Sequence, residues 1–264
     1  MPFSPVLINV TRMAPPSREY IHGINPCFEV IRASRRSIYE GFVNQATLRQ
    51  PRLAKLIQFM EQRDIPVTPV DKHRLFELAR SKEHQGAVLK TSPYAYHRFA
   101  DLLGSPRLLL LDNVEDPTNV GAIIRSAEIF GFHAICLPTK GTPEIYPSVV
   151  KVSVGATEHL AICRDHSANQ YFKAAQQEGY VVVALDGKGT TDLNTIQIGR
   201  DQKLLLVIGG EDRSVGQFIL NAADVIARIP MAGRVNSLNA SVAAGIAMYH
   251  LHHATSEMRP ANAG

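Results

Sequence analysis

The sequence predicts an α/β protein: a C-terminal domain built on a mostly parallel sheet, preceded by a small α/β module. Three observations carry that prediction. Residues 107–111, 134–137, 180–185 and 203–208 are near-continuous apolar runs, the pattern of strands buried on both faces. Helical stretches fall between them, near 120–130, 148–156, 167–178 and 215–222, and strands alternating with helices imply a parallel sheet covered on both sides. Charge also divides the chain: residues 1–105 hold 15 Lys+Arg against 9 Asp+Glu and residues 106–264 hold 13 against 15, together the net +4. A basic front part suits a polyanion-docking module joined to a catalytic domain, although chance asymmetry on a solvated surface accounts for the charge equally well.

Residues 1–19 are Pro-rich and aperiodic and read as a flexible lead. The module spans 20–90. Pro26 opens a helix carrying Phe28, Val30 and Ile31, with Ile38 and Phe42 beyond it. Leu53, Leu56, Ile57 and Met60 recur at helical spacing. Residues 65–70 look like a short strand, Leu75, Leu78 and Ala79 like a small helix, and 87–89 like a strand. Residues 91–105 contain Ser, Pro, Tyr and Gly and form a linker. The larger domain covers 106–254, its last helix running from about 239 to 253, and 255–264 form a tail.

An apolar fraction of 45% and a charged fraction of 20% are those of an ordinary globular chain. No apolar run reaches the roughly 18 residues of a membrane span. The N-terminus lacks the basic start and long apolar core of a secretory signal, so the cytoplasm is expected; Arg12, Ser17 and Arg18 would otherwise suit a mitochondrial address. Cys27, Cys136 and Cys163 are odd in number, far apart and without a Cys-x-x-Cys pair. That argues against a disulfide framework or a zinc site and for reduced, buried thiols.

Three stretches hold more polar residues than their turns require. The first reads Asp116-Pro117-Thr118-Asn119-Val120-Gly121-Ala122-Ile123-Ile124-Arg125-Ser126-Ala127. Asp116-Pro117 makes a turn, Asn119 sits where an N-cap belongs, and Gly131 stops the helix. Arg125 leans back toward the positive helix end, where anions bind; an isolated Asn-to-Arg spacing would be an ordinary capped helix with a surface arginine. The second, Gly209-Gly210-Glu211-Asp212-Arg213-Ser214-Val215-Gly216, follows a buried strand. Paired glycines let a ligand approach the backbone, but the pattern is neither a Walker loop nor Gly-x-Gly-x-x-Gly. The third starts at Ile229, turns at Pro230 and Gly233, and sets Ser237, Leu238 and Asn239 before a helix of small residues that would also suit a dimer interface.

Elsewhere, His250, His252 and His253 lack a Cys or acidic partner at ligand spacing, so histidines interacting with a helix dipole fit better than a metal site. Residues 186–191 lack phosphate-loop spacing and read as a turn, and no Gly-x-Ser-x-Gly elbow marks a hydrolase.

Taken in order, the three stretches resemble the signature blocks of the SpoU-type (TrmH-like) RNA 2′-O-ribose methyltransferases, over roughly residues 106–253. Asp212 stands where family members often have glycine. Ile21-His22-Gly23-Ile24-Asn25-Pro26 and His84-Gln85-Gly86 resemble the L30e-like RNA-binding domain of the large-subunit rRNA guanosine 2′-O-methyltransferases. The resemblance implies a SPOUT α/β domain with a deep C-terminal trefoil knot, an exception to the rule against knots. It further implies S-adenosyl-L-methionine as cofactor, no metal, and a homodimer. It places Gly209, Ile229 and Leu238 at the cofactor and Asn119, Arg125, Glu211, Ser237 and Asn239 in the active site.

Arg32, Arg35 and Arg36 either join Arg125 in contacting RNA phosphate or form a solvated helix face. The family proposal makes Arg125 the base; since arginine keeps its proton in proteins, phosphate anchoring is the other role open to it. The expected reaction is methylation of a ribose 2′-hydroxyl on a guanosine of large-subunit rRNA. The alternatives are a tRNA ribose methyltransferase and a catalytically silent RNA-binding or ribosome-assembly protein on the same fold.

Overall fold

The computed structural model describes residues 18–256 except 200, 212, 235 and 236, with side chains as far as 252. The expected lead and tail fall largely outside the described residues. The N-terminal sheet contains β1 (Glu19–His22), β2 (Ile38–Asn44), β3 (Val67–Val70) and β4 (Ala87–Thr91) in the order β1-β4-β2-β3. Strand β4 is antiparallel to β1 and β2, and β3 is parallel to β2. Alternate strand residues face opposite sides, so Val43 and Leu89 meet α1 (Ile24–Ala33) and α2 (Pro51–Glu61), while Phe42 and Val88 meet Leu75 of α3 (Lys72–Ala79). Ile38 and Phe42 belong to β2 rather than to α1, which ends at Ser34 in a left-handed conformation.

The larger sheet contains β5 (Arg107–Asp112), β6 (Ala134–Cys136), β7 (Ala161–Cys163), β8 (Val181–Leu185), β9 (Thr191–Asp192), β10 (Leu204–Gly209) and β11 (Val225–Arg228). Their order is β7-β6-β5-β10-β8-β11-β9, and every neighbouring pair is parallel. The four apolar runs are β5, β6, β8 and β10, which lie side by side as β6-β5-β10-β8, and Leu206 pairs with Leu109 and Val183. On one face α4 (Pro117–Ile129), α5 (Pro147–Val152) and α8 (Ala240–Ser256) bury Ile123, Ile124, Val149, Val150, Met248 and Leu251. On the other, α6 (Ala168–Gln177) and α7 (Gln217–Ala222) bury Tyr171, Phe172 and Ile219. Gly121 in the first motif has a packing role: a Cβ there would lie 2.7 Å from Val152 Cβ and 3.0 Å from the Val149 carbonyl oxygen, so α4 and α5 are in contact.

Residues 91–105 join the two parts as a packed segment, with Tyr94, Phe99 and Leu102 buried. The Tyr94 hydroxyl donates to the Thr157 carbonyl at 3.0 Å. Beside it, Arg36 donates from Nη2 to Glu158 Oε1 at 3.0 Å and from Nε to Glu158 Oε2 at 3.0 Å, and it also pairs with Glu19. The side chains of Arg36 and Glu158 are both fully buried. Burial pushes the Glu19 carboxyl up, against the lowering effect of Arg36.

For Arg36 this rules out both readings, an RNA contact and a solvated helix face. Arg36 cannot reach a phosphate from inside the domain junction, and Arg35 is bonded to the Leu160 carbonyl and to His97. Arg32 is exposed and pairs with Glu29.

Removing one partner of a buried ion pair leaves the other charge under-compensated, and without Glu158 the buried Arg36 keeps only the partly exposed Glu19. Glu158→Ala should therefore cost about 3–5 kcal/mol of stability in denaturant unfolding, and Arg36→Met with Glu158→Leu should restore most of it. A loss under about 1 kcal/mol would mean that solvent reaches the pair, as at exposed ion pairs. Gly121→Ala should cost about 1–3 kcal/mol by overpacking; an unchanged unfolding midpoint would contradict the tight α4–α5 contact.

Candidate active site

Strands β5 and β10 run in register to Asp112 and Gly209, so the loops after them emerge together. The Gly210 N–H donates to the Asp112 carbonyl at 3.1 Å. A Cβ on Gly210 would lie 2.0 Å from the Asn113 carbonyl oxygen, and one on Gly209 2.4 Å from the Val215 nitrogen. Close backbone approach therefore demands both glycines. The buried Asp112 carboxylate accepts from the Gly216 N–H at 2.8 Å; burial pushes its pKa up and that bond opposes the rise. The loop after β10 is thus folded back toward the end of β5.

That fold brings one side chain from each motif to a common point. Glu211 Oε1 accepts from Asn119 Nδ2 at 3.2 Å, from Asn239 Nδ2, and from the Ala240 N–H at 3.4 Å. Asn239 Nδ2 also donates to Asn119 Oδ1 at 2.9 Å. The other end of Asn239 caps α8: its Oδ1 accepts from the Ser241 N–H at 3.0 Å and the Ser241 hydroxyl at 2.6 Å.

Asn119 is not the N-cap of α4. Asp116 takes that place, accepting from the Thr118 N–H at 2.8 Å with Pro117 as the first helical residue. Asn119, third in the helix and 7% exposed, is free to turn toward Glu211.

An open cleft of about 750 Å³, mouth included, lies at the C-terminal ends of β10, β8 and β11, where ligands bind in open parallel sheets. Gly209, Ile229, Leu238, Glu211 and Ser237, all singled out from the sequence, line it. Leu185, Ile208, Met231, Ala240 and Ala243 add apolar wall. Among the described residues the lining includes Asp186 and Glu211 but no Lys, Arg or His. Such a wall repels phosphates and attracts a cation.

Sequence reasoning missed Asp186 and Ser214. Residues 186–189 do form a turn, closed by the Gly189 N–H donating to the Asp186 carbonyl at 3.0 Å. The available signal was position: an acidic residue directly after a buried parallel strand points to the ligand edge.

A second, polar cleft shares Gly210 and Glu211 with the first and is also lined by Asn113, Glu115, Asp116, Asn119 and Arg213. Arg125 lines neither cleft; it is exposed on α4, and among the described residues no hydrogen bond joins it to the Glu211 cluster. His250 Nε2 lies 3.2 Å from the Ile196 carbonyl, a tertiary contact rather than the expected dipole interaction. The side chain of His253 is outside the described residues. Among the described residues no group of three His, Cys, Asp or Glu is placed to hold a metal.

The sequence pattern of the SpoU rRNA methylase family matches residues 106–249, and that of the substrate-binding domain of RNA 2′-O-ribose methyltransferases matches residues 20–97. YacO of Bacillus subtilis, named as a TrmH-family tRNA/rRNA methyltransferase, is 30% identical over 241 residues, covering 89% of this chain and 95% of that protein. An uncharacterized tRNA/rRNA methyltransferase of Mycolicibacterium gilvum is 34% identical over 239 residues, covering 87% and 74%. In fold, the chain is similar to an S-adenosylmethionine-bound rRNA methyltransferase of Sinorhizobium meliloti, with TM-score 0.73, 23% identity and coverage of 91% and 88%. It is also similar to the SpoU methyltransferase AviRb of Streptomyces viridochromogenes, with TM-score 0.74, 22% identity and coverage of 89% and 89%. With the methylase pattern spanning more than half of the chain and the substrate-binding pattern most of the rest, the chain belongs to the SpoU family of RNA 2′-O-ribose methyltransferases.

Proposed function

We propose that the protein uses S-adenosylmethionine to methylate a ribose 2′-hydroxyl in large-subunit rRNA, at a guanosine. The observation that carries this reading is the seam at Glu211. There an apolar, phosphate-repelling cleft meets a polar one, and Asn119 and Asn239 converge on the dividing carboxylate. S-adenosylmethionine, when bound, supplies a methyl group on a cationic sulfonium. Gly209, Ile229 and Leu238 hold it in the first cleft, whose carboxylates match its charge. Glu211 fixes the two asparagines, and Ser237 at the cleft rim orients the incoming ribose or its phosphate. Arg125 anchors phosphate, stabilising negative charge as it develops.

An apolar face beside Arg125 supports a homodimer. Ile129, Val242, Ile246 and Tyr249 are exposed on α4 and α8, and a second copy would cover them. The strand order supports a C-terminal trefoil knot, because β10 inserts between the earlier β5 and β8 and the chain must return to the middle of the sheet. The separate substrate-binding domain supports RNA as the substrate, and the cytoplasm, where free buried thiols such as these three persist, is the place of action.

The test is transfer of labelled methyl from S-adenosylmethionine to unmodified large-subunit rRNA and, in parallel, to tRNA, with products mapped as alkali-resistant dinucleotides. Label is expected on rRNA, with Arg125→Ala lowering kcat by about 10²–10³-fold. Label on tRNA alone would overturn the rRNA assignment. Cofactor binding without transfer to either RNA would identify a silent RNA-binding protein.

A further inference from the structure

The two clefts meet along Gly210 and Glu211. If the first holds S-adenosylmethionine, as proposed above, its reacting end lies at that seam, facing the cleft that receives the ribose. The adenosyl part then extends the other way, to the ends of β8 and β11, where Leu185, Asp186 and Gly187 form the wall. We propose that Asp186 binds the ribose diol of the adenosyl group, and so sets which way the cofactor lies.

Five features of Asp186 support the assignment. It is the first residue after β8, at the ligand edge of the sheet, and is only 9% exposed. Its main chain is locked to the neighbouring strand, the Asp186 N–H donating to the Ala227 carbonyl at 2.9 Å. Its carboxylate is held by neutral donors: the Lys188 N–H at 2.7 Å on Oδ1 and the Ser214 hydroxyl on Oδ2. No ion pair neutralises it among the described residues.

A carboxylate offers about four acceptor positions, so two remain for the paired hydroxyls of a ribose. An acid following a strand meets a ribose hydroxyl in the same way in dinucleotide-binding sheets. Glu211, the other carboxylate among the described lining residues, lies at the seam with the polar cleft, where it holds Asn119 and Asn239, and not at the ends of β8 and β11. Asp186 is therefore the acceptor built for the diol, fixed before the ligand arrives.

The test is calorimetric binding of S-adenosylhomocysteine and of its 2′-deoxy and 3′-deoxy adenosyl analogues to the full-length protein. Hydrogen bonds to a charged acceptor predict that Asp186→Ala weakens S-adenosylhomocysteine by about tenfold to a hundredfold. Each deoxy analogue keeps one hydroxyl of the pair, so it should bind wild type more weakly than S-adenosylhomocysteine does and lose less than S-adenosylhomocysteine on Asp186→Ala. Ser214→Ala, which leaves the carboxylate in place, should weaken all three ligands by only a few fold, and a thermal melt checks that each variant is folded.

Equal binding of S-adenosylhomocysteine to wild type and Asp186→Ala would overturn the diol contact and leave the cofactor reading standing. Equal losses for all three ligands on Asp186→Ala would reduce Asp186 to a structural clip. A folded wild-type protein that binds none of the three would overturn the cofactor reading and this inference with it.

Discussion

Glu211 Oε1 joins its own loop to two parts of the chain that lie far from it in sequence: Asn119 on α4, and Asn239 with the Ala240 backbone at the start of α8. Bonds to an ionised acceptor are roughly twice as strong as neutral ones, so this oxygen can hold three segments that have no covalent reason to meet. Much follows from it. Asn239 can cap α8 with its carbonyl only while its amide is turned to Glu211 and Asn119. The segment running from Ile229 to that cap supplies one wall of the apolar cleft, while Asn119 supplies part of the polar one. The same carboxylate both assembles the site and divides it.

What brings Glu211 to that point is backbone packing. Two adjacent parallel strands end level, and glycines at 209 and 210 let the following loop lie against Asn113 and Val215 with no room for a Cβ. Asp112 then ties the far end of the loop through the Gly216 N–H. The pair of glycines, which could have signalled a phosphate site, serves here to make a tight fold-back, and the described side chains of the apolar cleft beside it carry carboxylates instead of cations.

The central strands were legible because a strand covered on both faces is apolar at every position, which no surface element imitates. Strands β7, β9 and β11, two to four residues long and at or near the edges of the sheet, were not. The site residues could be named from their motifs, but the roles of some depended on long-range contacts. Asn119 looked like a cap because Asn and Asp cap equally well, and only the structure shows Asp116 in that place. Arg36 looked like a phosphate contact because its partner Glu158 is 122 residues away in sequence. Arg125, the most distinctive residue of the first motif, lies on an exposed helix face outside both clefts, so its contribution depends on what covers that face.

Amide hydrogen exchange on Glu211→Ala against wild type addresses the central claim directly. If Glu211 holds the three segments, exchange should quicken at the Ser241 and Val242 amides, whose protection comes from Asn239, and in the first turn of α4. The strands β5 and β10 and the N-terminal sheet should stay as protected as in wild type. Unchanged protection at Ser241 and Val242 would show that the cap and the cleft wall stand without Glu211, contradicting the account.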